Sequence, residues 1–146
     1  MIELLKDSNE YVCDSAADTL GKLGAKEIIP QMTGLLNDSE APIRALADST
    51  LGKLDAQGAI PQLTELLKDN TEYVRSSAAY ALGNLGAKDA IPQLTRFLKN
   101  KEIVVRSSAA RALGKLGAKK TVPQLTELLQ DKEESVRWSA ADALSD

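Results

Sequence analysis

The chain has 146 residues, 43% of them apolar and 27% charged, with a net charge of −3, a single cysteine and no histidine. Without histidine there is no imidazole base, no Ser-His or Cys-His nucleophile and no histidine-ligated metal, and Cys13 alone can build neither an internal disulfide nor a thiolate metal site. The mild negative charge opposes binding to nucleic acid, no apolar run approaches a membrane span, and no signal-peptide pattern opens the chain, so a cytoplasmic protein without metal or cofactor is expected.

Repetition organises everything else. Pro30, Pro61, Pro92 and Pro123 stand 31 residues apart, and residues 60–90 match residues 91–121 at 20 of 31 positions. Five units follow, approximately 1–28, 29–59, 60–90, 91–121 and 122–146, forming one repeat domain whose outer two units are incomplete. The first unit opens with MIELLKD, equivalent to QLTELLKD without its first turn, and continues with the helical segment YVCDSAADTLGKLG. In the second, IIPQMTGLL and PIRALADSTLGKLD read as two helices; Asp55 stands where a glycine is expected, and Gly58 is expected to relieve that connection. In the third, Ile60, Leu63, Leu66 and Leu67 form one apolar stripe, with Pro61 in the first helical turn, and Val74, Ala78, Ala81, Leu82 and Leu85 form a second. Gly24, Gly86 and Gly117 occupy helix ends that favour a left-handed residue. The fourth and fifth units repeat the pattern as AIPQLTRFL with VVRSSAARALGKLG, and TVPQLTELL with SVRWSAADAL. No β-like alternation occurs. Single hairpins cannot bury their stripes, so the units must stack, and the Ala pairs 16/17, 78/79, 109/110 and 140/141 suit close approach of second helices.

The motif IPQLTELLKD…YVRSSAAYALGNLGAKDA resembles the HEAT-like repeat, in the short form also found in phycobilin lyase subunits. The resemblance covers the whole chain and implies an all-α fold: a right-handed α-solenoid, or superhelix, of five stacked helix-turn-helix repeats. It also implies that first helices form the convex side and second helices the concave side. A ladder of Asp and Arg is a further family feature; the matching pairs are Asp38/Arg44, Asp69/Arg75 and Asp131/Arg137, altered to Asn100/Arg106 and Asp7/Cys13. It is read as structural. An iron-dependent hydroxylase of the superfamily uses His-Glu pairs and is excluded here, and related DNA glycosylases use a basic groove that is lacking. The resemblance does not itself give a function, since this fold hosts many; the expected function is a non-catalytic protein-protein interaction scaffold binding a protein partner on its concave face. Two alternatives stay open: a phycobilin lyase-like subunit assisting chromophore attachment, and an excised or engineered array without natural ligand.

Helical spacing sets a second stripe beside the core, and by the family geometry this stripe points into the concave side. It carries Tyr73, Ser76, Ser77, Tyr80 and Asn84 in the third unit; Tyr11, Asp14 and Asp18 in the first; Leu46 in the second; Arg111 and Lys115 in the fourth; and Trp138 in the fifth. Tyr and Trp on a rigid surface are typical binding anchors. The candidate partner-binding residues are therefore Tyr11, Asp14, Asp18, Leu46, Tyr73, Tyr80, Arg111, Lys115 and Trp138. The Ser-Ser pairs are read as helix-compatible polar filler, and Cys13 as structural. Neither terminal unit has a polar outer face, which predicts end-to-end stacking with Leu4, Leu5, Val136 and Leu144 poorly covered in a monomer.

Overall fold

Pro30, Pro61, Pro92 and Pro123 lie at the start of a first helix, where the missing N–H has no intrahelical partner and the fixed φ suits the helix. The computed structural model describes residues 2–145, and the side chains of all of these but Ile2 and Glu10. A 3-10 helix, Ile2–Lys6, comes first. The α-helices are α1 (Glu10–Leu23), α2 (Ile29–Leu35), α3 (Ala41–Lys53), α4 (Ile60–Glu65) and α5 (Glu72–Asn84), then α6 (Ile91–Phe97), α7 (Ile103–Lys115), α8 (Val122–Glu127) and α9 (Glu134–Ser145). Among the described residues there is no strand, and no helix is long and apolar enough to cross a membrane. The odd-numbered helices are second helices and the even-numbered ones first helices, so the chain is an α-solenoid of stacked hairpins.

Local chemistry makes each hairpin. Between the two helices of a unit, the side chain of Asp7, Asp38, Asp69, Asn100 or Asp131 accepts the backbone N–H two residues on, at 2.8–3.0 Å. Second helices end in the left-handed conformation at Gly24, Gly86 and Gly117, with φ of 61° to 68°. Asp55 takes that conformation itself, with φ 54°, and Gly58 does not, contrary to expectation. At all four ends the next alanine donates back into the helix, as in Ala56 N–H to Leu51 O at 3.1 Å and Ala87 N–H to Leu82 O at 3.0 Å. That bond fixes the exit direction strongly enough to hold a non-glycine residue at positive φ.

The core runs continuously through the stack. Leu63 and Leu67 of the third hairpin's first half and Val74, Ala78, Ala81, Leu82 and Leu85 of its second half are all buried. Full burial of each of these leucines and of Val74 stabilises by about 1.5–3 kcal/mol, and of each alanine by about 1 kcal/mol. Leu5 and Val136, expected to lie open at the ends, are 2% and 0% exposed, because the Ile2–Lys6 helix packs on α1 and α9 packs on α7 and α8. Leu4 alone of the four is exposed, at 46%; Leu144 is half-buried.

Second helices pack directly on one another in the order α1, α3, α5, α7, α9. The closest approach falls at glycines. A methyl group on Gly52, Gly83 or Gly114 would lie 2.7–2.9 Å from the Cα of Ala81, Ala112 or Ala143 in the next unit. Replacing Gly83 by alanine should therefore cost about 2 kcal/mol, since two backbones must separate to admit the methyl. Gly34, with open space around it, serves as control: Gly34→Ala should be neutral or stabilising by chemical denaturation.

The Asp-Arg ladder joins units rather than closing them. Arg44 binds Asp69 in the following unit through Nε and Nη2 at 2.9 and 3.0 Å, and Arg106 binds Asp131 the same way at 2.9 and 3.1 Å. Within its own unit each arginine donates only to backbone carbonyls five or six residues earlier, such as Arg75 to Asp69 O at 2.7 Å. The expected pairs six residues apart are thus corrected to pairs 25 apart. In that register Cys13 faces Asp38 and Arg75 faces Asn100, so the rungs alternate between broken and made. The Nε of Arg75 is buried without a partner. Asn100 retains the turn bond to Glu102 N–H at 2.9 Å but brings no charge. Asn100→Asp should complete the rung and stabilise by about 1 kcal/mol, measured by urea unfolding.

Candidate protein-binding face

An open cavity of about 1080 Å³ lies along the second helices, with walls from α1, α3, α5 and α7. Four of the candidate residues come together there: Asp14 on α1, Leu46 on α3, and Tyr73 and Tyr80 on α5. Pro42, Ile43, Ala45 and Ser49 complete the α3 wall. The helical register brings these together because residues one or two positions from the buried stripe lean over the joint with the neighbouring unit. Leu46 is half-buried against the core, and Tyr80 is 38% exposed.

The other candidates pair across joints outside the cavity. Lys53 forms an ion pair with Asp18, and this ammonium's hydrogen bond holds the Asp18 carboxyl below the ordinary range. Asp18 is therefore engaged across the α1–α3 joint. Lys115 Nζ lies 5.0 Å from the Tyr80 ring centroid and also bonds Asn84. Arg111 stacks over the Trp138 ring at 5.0 Å, with Trp138 still 58% exposed. These cation–π contacts stiffen the aromatics while leaving their edges open. Tyr11, 79% exposed, stands apart: with Leu4, Val12, Ser15, Ala16 and Thr19 it lines a separate hollow of about 270 Å³.

Several side chains carry more than their sequence reading gave them. Three of the four paired serines are cross-unit ties and not filler: Ser77 donates to Ala45 O at 2.6 Å, and the hydroxyls of Ser76 and Ser108 are 2.5 Å apart, while Ser107 bonds only within its own helix. Cys13 is buried and its Sγ donates to Asp7 O at 3.2 Å. Burial and the Asp7 carboxylate push its thiol up, so it is a poor nucleophile. Sequence reasoning missed Asp48. It occupies the register position of Ala17, Ala79 and Ala110, is 0% exposed, and has no partner on either carboxylate oxygen. Burial, reinforced by nearby Asp69, pushes it up to about 8 despite Arg44. The signal was present: an acid interrupting a run of aligned alanines. At the paired rungs the balance is opposite. Burial alone would raise Asp69 and Asp131, but hydrogen bonds from Arg44 and Arg106 hold both below the ordinary range.

Comparison with known proteins bears on what such a face does. The family model described as HEAT repeats matches residues 1–83 and 66–145. Among curated proteins no sequence matches. Among solved structures, the chain is similar to one in the complex of CpcE and CpcF of phycocyanin lyase from a Nostoc species, with a TM-score of 0.78 and 27% identity over 98% of this chain and 62% of that one. It is similar to YibA of Escherichia coli, with a TM-score of 0.82 and 23% identity over 98% of this chain and 56% of the other. A designed armadillo repeat protein in complex with the peptide (KR)4 gives a TM-score of 0.63 and 22% identity over 99% and 79% of the two chains. The last two likenesses are of fold alone. The chain spans less than two thirds of the lyase-subunit and YibA chains.

Proposed function

This chain belongs to the HEAT-repeat family, and we propose that it acts as a non-catalytic scaffold that binds a protein partner on the face formed by its second helices. The observation that carries this reading is the open cavity of about 1080 Å³ built by four successive second helices and lined by Tyr73 and Tyr80, with Trp138 exposed farther along the stack on α9. Rigid aromatic surface contributes binding area at little entropic cost, and Tyr80 and Trp138 are already held in place by Lys115 and Arg111. The hydroxyls and backbone around the cavity are tied between units, so the face is preorganised. Tyr80→Ala and Trp138→Ala should each weaken partner binding about tenfold or more while the melting temperature moves little. The measurement is quantitative pull-down from lysate of the source organism, scored by mass spectrometry against the unchanged chain. Equal recovery by wild type and both variants would overturn the reading.

A second reading is favoured by the likeness to a chain of the phycocyanin lyase complex: a lyase-like subunit that assists chromophore attachment together with another chain. It predicts that bilin absorbance stays with the protein through gel filtration, which a scaffold for proteins alone does not.

A further inference from the structure

The joints between successive second helices differ in what supplies positive charge. Positions 35 residues apart face each other across these joints: Asp18 meets Lys53 between α1 and α3, and Tyr80 meets Lys115 between α5 and α7. Between α7 and α9, Arg111 covers Trp138. The corresponding positions between α3 and α5 are Ser49 and Asn84, and Asn84 is already the acceptor for Lys115. At these positions the α3–α5 joint carries no cation, its Arg44 being paired with Asp69, and there the cavity opens.

Resting on the scaffold reading above, we propose that this cavity takes an extended segment of the partner in which a bulky apolar side chain is followed by lysine or arginine. Leu46, Pro42 and Ile43 give the apolar part its contact surface, with Tyr73 and Tyr80 opposite on α5. The cationic part is directed by Asp14 and Glu40 on the cavity wall, which among the described residues make no ion pair within the chain, and by Asp7 beside them. Lys6 is the single basic residue among the described lining, so the wall is net acidic. A segment bearing a carboxylate at the same place meets like charge and is rejected. An open trough along several units suits a chain segment rather than an enclosed small molecule.

The test is selection of random peptides of about twelve residues, displayed on phage, against the purified full chain, followed by fluorescence anisotropy on the best peptide. Apolar residues followed by Lys or Arg should be enriched, and the winning peptide should bind at least about tenfold more weakly to the Asp14→Lys/Glu40→Lys variant and in about 0.5 M salt. Melting curves of the variants report folding. Absence of enrichment, enrichment of acidic peptides, or unchanged affinity in the charge-reversed variant overturns the proposal. Selected peptides that are lost with Leu46→Asp yet ignore charge reversal overturn this proposal while leaving the scaffold reading standing. Peptides insensitive to both substitutions contradict the binding face itself.

Discussion

Asp48→Ala should stabilise the protein by roughly 2–4 kcal/mol at pH 7. The carboxyl is fully buried, unpartnered and pushed up to about 8, whereas an unfolded aspartate titrates near 4. At pH 7 the folded chain therefore carries a proton that the unfolded chain has released, at about 1.4 kcal/mol per pH unit, less the cost of the smaller side chain. Because the folded value is raised, this group's contribution is most favourable below about pH 4 and declines as pH rises to about 8. Asp69 and Asp131 act with opposite sign: their folded values are lowered, so their contribution is present above the ordinary carboxylate range and is lost as pH falls below it. Wild type should thus be most stable in mildly acidic solution and lose stability towards pH 8.5. Asp48→Ala should abolish that decline. Asp48→Asn should abolish it too, yet remain less stable than the alanine variant because it leaves a buried amide without partners. Urea unfolding at about pH 4.5, 6.5 and 8.5 reads all three, and a wild type whose stability is flat or rising across that range contradicts the account.

Asp131→Ala should cost about 3 kcal/mol, the largest loss expected from a single ladder residue. It strips Arg106, which is 7% exposed, of a bidentate partner and removes the bond to Glu133 N–H at 3.0 Å. Arg106 would keep its carbonyl acceptors on Asn100 and Lys101 at 2.9 and 3.1 Å, but its charge would be buried without a counter-ion. Asp131→Asn reproduces the natural Arg75–Asn100 rung and should cost less, since the turn bond survives. Loss of under about 0.5 kcal/mol in the alanine variant would mean the rung is decorative.

The fold was legible because each signal repeats. A proline every 31 residues, glycines at helix ends and two apolar stripes per unit all point to the same stacked hairpins. The partners within that frame were less legible, because period alone does not say whether two residues meet inside a unit or across a joint. Arg44 was matched with Asp38, whereas its side chain reaches forward to Asp69. The cross-unit bonds of Ser76, Ser77 and Ser108 were hidden for the same reason. Asp55 misled because glycine is the usual left-handed residue, and the tight bond from Ala56 to Leu51 makes an exception affordable. Of the candidate face, Asp14, Leu46, Tyr73 and Tyr80 share a cavity, while Tyr11 lies on a separate hollow that its register did not distinguish. Asp48 breaks a run of aligned alanines in the sequence, and burial shows what that break costs.

The most direct measurement of the central claim is hydrogen–deuterium exchange of the chain with and without its captured partner. Slowed exchange on binding should concentrate in α3, α5 and α7, with the first helices α2, α4, α6 and α8 unchanged. Protection confined to the first helices would place the partner on the opposite side of the stack and contradict the account.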